Sequence, residues 1–202
     1  MKIGAIVLAA GGSIRFAVGS PSARRPKQLL TYEGMTFVRR AARAALGARG
    51  PVVIVVGREQ EEIAHELLGL PVTIVPNDRW ERGLGGSLRC GLAALLPCDA
   101  IVILVCDQPR VDEAVIRRLI AEHERTGHPI VACAYAGTLG VPALFGRGLF
   151  EELRALPDEQ GAKSIILRHR DRVATIDFPA GVFDIDTPDD YRRLERASQP
   201  SP

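Results

Sequence analysis

IVILVCDQP, residues 101–109, opens with five side chains that carry no polar atom and reaches an aspartate at position 107. A run this short, and this rich in β-branched residues, predicts a strand buried on both faces. Comparable runs recur at 3–8, at 52–56 (VVIVV), at 72–75 and at 130–134. Amphipathic stretches lie between them, predicting helices over 36–48, 59–68, 86–96 and 112–125, the last with Asp112 as N-cap. Buried strands alternating with helices imply an α/β fold: three layers, α/β/α, around a mostly parallel, Rossmann-like sheet.

After residue 134 the pattern loosens. A short strand at 142–145, helices at 148–156 and 161–168, and a strand at 173–177 are expected. A closing helix at 188–197 has Thr187 as N-cap and Pro188 in its first position. No repeat and no linker divides the chain, so 1–197 reads as a single domain and 198–202 as a disordered tail.

Composition narrows the function. The 202 residues are 47% hydrophobic, enough for a sizeable core, and 26 basic residues nearly balance 24 acidic ones. A net charge of +2 suits neither a nucleic-acid coat nor a membrane-surface binder, and no apolar run is long enough to span a bilayer. Cys90, Cys98, Cys106 and Cys133 form no CxxC pair and sit among apolar neighbours, so they read as reduced, buried thiols of a cytoplasmic protein. No signal peptide is expected. His65, His123, His128 and His169 show no metal-ligand spacing and no nucleophile partner, and read as structural or surface residues.

Open parallel sheets bind ligands beyond the carboxyl ends of their strands, which directs attention to the segments after Leu8, Val75 and Val105. The first is LAAGGSIRFAVGSPSARRPKQLL, residues 8–30. Ala9, Ala10, Gly11 and Gly12 let backbone N–H groups approach an anion, and Arg15 and Lys27 supply positive charge for a triphosphate; a flexible, solvated loop is the plainer reading. The dinucleotide GxGxxG is ruled out by Ser13 and Phe16, and a P-loop by the lack of GK[ST] here. The basic cluster of Arg24, Arg25 and Lys27 suits a small anion better than a long polyanion.

Asp107, where the apolar run emerges, is a hard-oxygen ligand suited to Mg²⁺. FDIDTPDDY, residues 183–191, brings further carboxylates. Asp184 and Asp186 alternate along an extended segment and so point to opposite sides; only one of them is expected to face the same way as Asp107, Asp186 being favoured and Asp184 the alternative. Asp189 and Asp190 read as favourable charges in the first helical turn.

These segments resemble, in order, the motifs of the molybdenum-cofactor nucleotidyltransferases, the MobA-like NTP transferases. Gly11, Ser13, Arg15, Lys27 and Leu30 follow the family's LAAGxSxRMGxxKxLL, with Phe16-Ala17 in place of Met-Gly and a longer, more basic spacing before Lys27. CDQP (106–109) resembles GDQP, and DIDTPDD (184–190) resembles DIDTPEDL. NDRWERGLGGSLRCGL (77–92) resembles NPxWxxGMGSSLRxGL, and GTLGVPALF (137–145) resembles GxxGxPVLF, with Val141 where the family often has His or Asn. QGAKSIILRH (160–169) is similar to a further acceptor-side motif.

The resemblance implies a sheet of the nucleotide-diphospho-sugar transferase type and a Mg²⁺-dependent nucleotidyltransferase. Its nucleotide site would comprise Leu8, Ala9, Ala10, Gly11, Gly12, Ser13, Lys27, Gly86, Ser87 and Asp107. Lys27, Arg15 and Asp107 would carry the catalysis, and Asp107 with Asp186 the metal. Trp80 would contact base or ribose, or else serve as a packing anchor; Arg89 would belong to the same stretch or to the surface. The implied reaction moves CMP from CTP to the phosphate of molybdopterin and releases pyrophosphate. A molybdoenzyme maturation factor is the implied protein partner, with no nucleic acid and no membrane. Alternatives are another phosphorylated acceptor (a sugar phosphate or methylerythritol phosphate), a non-catalytic nucleotide binder of the same fold, or, more weakly, a glycosyltransferase. Since a phosphate monoester is largely dianionic near neutral pH, attack needs no general base.

Overall fold

All seven residues from Ile3 to Ala9 are buried, because this strand lies at the centre of a sheet covered on both sides. The computed structural model describes residues 1–11, 26–95 and 97–197. The expected tail at 198–202, and Gly12, Ser13, Arg15, Arg24 and Arg25, lie outside these described residues.

In chain order, β1 (Ile3–Ala9) leads to a small hairpin, β2 (Thr31–Tyr32) and β3 (Met35–Thr36), and then to α1 (Phe37–Ala45). Next come β4 (Val52–Val56), α2 (Gln60–Glu66), β5 (Thr73–Pro76), α3 (Leu84–Ala94), β6 (Ala100–Val105) and α4 (Glu113–Thr126). The rest comprises β7 (Ile130–Tyr135), β8 (Thr138–Gly146), α5 (Phe150–Arg154), α6 (Lys163–Arg168), β9 (Val173–Asp177) and α7 (Pro188–Ala197). The sheet order is β5-β4-β1-β6-β8-β7-β9. β5, β4, β1 and β6 are mutually parallel, as are β7 and β9, whereas β8 runs antiparallel to both of its neighbours.

Alternation along β1 distributes the core. Ile3, Ala5, Val7 and Ala9 pack with Val38 and Ala42 of α1, Ile63 of α2 and Ile116 and Leu119 of α4. Ile6, Leu8 and Ala10 pack on the other face with Leu88 and Leu92 of α3, Leu153 of α5 and Ile165 and Ile166 of α6. The three-layer expectation therefore holds. A satellite cluster of Leu30, Phe37, Ile185 and Leu194 docks α7 beside the hairpin. None of the described helices is long and apolar enough to cross a membrane.

Local signals set several boundaries as expected. Asp112 accepts the N–H of Val115 at 3.0 Å, capping α4. Thr187 Oγ1 accepts the N–H of Asp190 at 3.2 Å, and Asp190 in turn accepts the N–H of Thr187 at 2.9 Å, a reciprocal cap for α7.

The strand expected at 142–145 is instead the nine-residue β8, joined to β7 by a tight turn at Ala136 and Gly137, both of positive φ. Its register jumps from Ala132–Ala143 to Cys133–Gly140, so Val141 and Pro142 form a bulge. Proline cannot donate to a ladder, and a bulge is where a strand can hold one. α3 begins at Leu84, two residues before the expected 86, because Gly83 and Gly85 allow the chain to enter the helix against a neighbouring loop.

Candidate active site

β1 and β6 are adjacent and parallel, so Ala10 and Gly11 emerge on the same side of the sheet as Cys106 and Asp107. The N–H of Ile185 donates to the carbonyl of Asp107 at 3.0 Å, fastening the segment after β9 to the end of β6. That bond sets Asp186 beside Asp107.

A single turn of 3₁₀ helix, Lys27–Leu29, completes the arrangement from a third direction. Lys27 Nζ donates to Asp107 Oδ2 at 2.7 Å and to Asp186 Oδ1 at 3.2 Å. The three side chains are 11%, 24% and 43% exposed, which makes this a partly exposed cluster rather than a buried ion pair. Burial works against the charge on Lys27, but Asp107 above all, with Asp186, outweighs it and raises the ammonium's pKa. Lys27 thus stays protonated. The next residue, Gln28, is 2% exposed, and its Nε2 donates to the carbonyls of Ala9 at 2.9 Å and Gly11 at 2.5 Å. Gln28 holds the start of the first loop, a role its sequence position beside Lys27 did not disclose.

Asp184 takes a different direction from Asp186. Desolvation, then the negative charge of Asp107, push its carboxyl up to about 6, while a hydrogen bond from Gln108 opposes the rise. Tyr135 belongs to the same group: burial raises its phenol, the charge of Asp184 adds to the rise, and its hydroxyl donates to the carbonyl of Val141 at 3.2 Å. Gln108 is 4% exposed and donates to the carbonyl of Gly181 at 3.2 Å. Arg110 stacks on Phe183 with 3.8 Å from its guanidinium carbon to the ring centroid, a second tie between the two acidic segments. Gln108, Arg110 and Tyr135 carried no motif signal beyond their proximity to CDQP and the β7–β8 turn. Cys106, fully buried, has its thiol pushed up to about 12 by desolvation and is no thiolate nucleophile.

Of the residues expected on the nucleotide side, Leu8, Ala10, Gly11 and Ser87 line a separate pocket of about 220 Å³ together with Trp80 and Leu84, among others. Ala9 lies behind it, wholly buried. Ser87 accepts from Asn77 Nδ2 at 3.0 Å, and Asn77 Oδ1 accepts the N–H of Arg79 at 3.0 Å, which fixes the loop that carries Trp80. Trp80 packs over Gly57 and also lines the pocket.

Gly83 and Gly85 have a packing task. A Cβ on either would run into the backbone carbonyl of Asp158 or Pro157, and the N–H of Gly85 donates to Asp158 O at 2.9 Å. Arg89 secures the same contact through Leu156 O, at 2.6 Å, and the Asp158 carboxylate. Gly86 differs: the nearest atom to a Cβ there is 3.6 Å away.

The carboxyl ends of β1 and β6 thus carry paired carboxylates and an ammonium beside a small pocket, on a mostly parallel sheet of the nucleotide-diphospho-sugar transferase kind. Residues 5–173 match the MobA-like NTP transferase domain, and the chain belongs to that family. It is 32% identical to Rv0371c of Mycobacterium tuberculosis H37Rv, whose crystal structure superposes with a TM-score of 0.80 over 96% of both chains. A manganese complex of Rv0371c superposes with a TM-score of 0.78 at 29% identity, over 98% of this chain and 100% of that one. Nicotine blue oxidoreductase of Paenarthrobacter nicotinovorans is 35% identical over 144 residues, covering 71% of this chain and 66% of that protein. The bifunctional protein GlmU of Mycolicibacterium vanbaalenii is 29% identical over 180 residues, covering 79% of this chain and 35% of GlmU. The chain therefore spans about two thirds of the first curated relative and about a third of the second.

Proposed function

We propose that this protein transfers a nucleoside monophosphate from a Mg²⁺-bound nucleoside triphosphate to a phosphorylated small molecule, with CTP as donor and molybdopterin as acceptor. The observation that carries the reading is Lys27 Nζ held between Asp107 Oδ2 and Asp186 Oδ1 at 2.7 and 3.2 Å. Two carboxylates from distant segments converge on one cationic point, a donor set that fits Mg²⁺, which takes one or two carboxylates beside phosphates and water. Among the described residues no group of three or more His, Cys, Asp or Glu side chains is arranged to hold a metal. Asp107 and Asp186 would hold the ion, with Asp184 as the alternative; once bound, it would offset the charge of the triphosphate.

In the proposed reaction an oxygen of the acceptor's phosphate forms a bond to the α-phosphorus, the bond from that phosphorus to the β-phosphate oxygen breaks, and pyrophosphate leaves with the electron pair. The chain's contribution is placement and charge. Leu8, Ala10, Gly11 and Ser87 line the pocket that would receive the nucleoside, with Gly86 beside them on α3. Gln28 fixes the carbonyls of Ala9 and Gly11, at the start of the loop that would receive phosphate. Lys27 would supply a further phosphate contact, as would Arg15, Gly12 and Ser13 by the sequence resemblance.

The choice of CTP and molybdopterin rests on the sequence resemblance, and Val141 favours testing sugar phosphates and methylerythritol phosphate as acceptors too. The 35% identical relative named nicotine blue oxidoreductase supports a second reading, electron transfer in place of nucleotidyl transfer. The test is a pyrophosphate-release screen of CTP, GTP, ATP and UTP against molybdopterin and other phosphorylated acceptors, with Mg²⁺ or Mn²⁺, and a parallel arm following oxidation of NADH or NADPH with nicotine blue as the electron acceptor. Release that disappears in Asp107→Ala supports the transferase; no release with any pair rejects it.

A further inference from the structure

We infer that Lys27 and the divalent cation compete for one position, so that metal enters with the nucleotide's phosphates rather than ahead of them. The inference rests on the metal reading of Asp107 and Asp186 given above. The ammonium lies within hydrogen-bond distance of both carboxylates that would hold the ion. The Ile185–Asp107 backbone bond holds the two segments that carry them side by side. A cation bound by both would meet the ammonium at contact distance, where two positive charges repel strongly in a partly desolvated cleft.

Lys27 must then give way, and its surroundings decide at what cost. The side chain is 11% exposed, so the ammonium is largely shielded from water where it stands. An anion near the first loop would receive it well. The turn that carries Lys27 also carries Gln28, which is bonded to the carbonyls of Ala9 and Gly11, so the root of the lysine lies beside the backbone that would cradle phosphate. A free metal ion evicts the ammonium without offering it a partner, whereas a metal–triphosphate complex brings the partner along. Lys27 thereby acts as a positioning residue that keeps the carboxylates together before substrate arrives and disfavours binding of metal alone.

The experiment is a titration with Mn²⁺ alone, the free ion followed by its electron paramagnetic resonance signal, on the wild type, Lys27→Met, Arg110→Met and Asp107→Asn. Lys27→Met is expected to tighten Mn²⁺ binding at least tenfold, about 1.4 kcal/mol. Arg110→Met, which removes a positive charge and the tie to Phe183 but leaves Lys27 between the two carboxylates, should change it less than about threefold. Lys27→Gln, which keeps a donor toward Asp107, takes the place of Lys27→Met where the latter does not fold, with the same expected direction. Unchanged or weaker binding in the Lys27 variant, or equal tightening in Arg110→Met, overturns the competition while leaving the metal site standing, provided Asp107→Asn abolishes binding. Mn²⁺ binding that survives Asp107→Asn, or none in any of these proteins, overturns the metal reading and the competition together.

Discussion

The backbone N–H of Ile185 donates to the carbonyl of Asp107 at 3.0 Å, joining two segments that are remote in sequence. That bond, with Arg110 stacked on Phe183, makes the acidic floor of the cleft a rigid unit. Asp107→Asn should lower pyrophosphate release at least 100-fold while far-ultraviolet circular dichroism stays native. It should also cost about 2 kcal/mol of stability in urea, because Lys27 keeps a mostly buried charge with its shorter partner gone; the partial exposure of Asp107 holds the cost below that of a fully buried pair.

Gln28 offers a second test, centred on the first loop. Gln28→Met keeps the volume but leaves the carbonyls of Ala9 and Gly11 without their donor. A loss of about 1–3 kcal/mol is expected, together with a rise in KM for the triphosphate that exceeds any fall in kcat. Unchanged KM would remove Gln28 from the positioning of the phosphate loop.

The glycines before and within α3 should separate by task. Gly83→Ala and Gly85→Ala force a methyl group into the backbone of Asp158 and Pro157, and each should destabilise the protein by about 2 kcal/mol or more in thermal melts. Gly86→Ala has room, so its melting temperature should stay at or above wild type. Weaker nucleotide binding in Gly86→Ala at unchanged stability would place Gly86 in the nucleotide contact.

Glu152 gives a prediction for pH. Burial would raise its carboxyl, but hydrogen bonds from His169 and Arg168 lower it below the ordinary value of 4.5. A depressed folded-state pKa contributes stability that is present above 4.5 and is lost as pH falls through the lower, folded value. Glu152→Gln should therefore cost about 0.5–1 kcal/mol near pH 7 and flatten the acid side of the stability curve. Urea melts from pH 3 to pH 7 (about four units) provide the check, and parallel curves for both proteins would contradict it.

Much of the molecule was legible residue by residue. The apolar runs at 3–8, 52–56 and 101–105 each became a buried strand, and the caps at Asp112 and Thr187 fell where the side chains indicated. These are local properties: burial on both faces needs an unbroken apolar run, and a cap needs an acceptor within three residues of the N–H it satisfies. The reversed direction and full length of β8 were not legible, because Gly140 and Pro142 resemble strand breakers until Cys133 and Tyr135 across the ladder show where the bulge goes. Gly83 and Gly85 were misleading in the same way: their missing side chains answer to a loop more than 70 residues further on, at Pro157 and Asp158.

The Ile185–Asp107 bond belongs to this second class. The sequence by itself determined that carboxylates would stand at the ends of buried strands, because an apolar run must leave the core where its first charge appears. Only the tertiary structure decided that Asp186 rather than Asp184 would join Asp107 on Lys27, across separations of 80 and 159 residues. Side-chain alternation establishes that the two aspartates diverge, but which of them meets the ammonium depends on how the chain after β9 is pinned to the end of β6, and that pin is a backbone bond no side-chain pattern records.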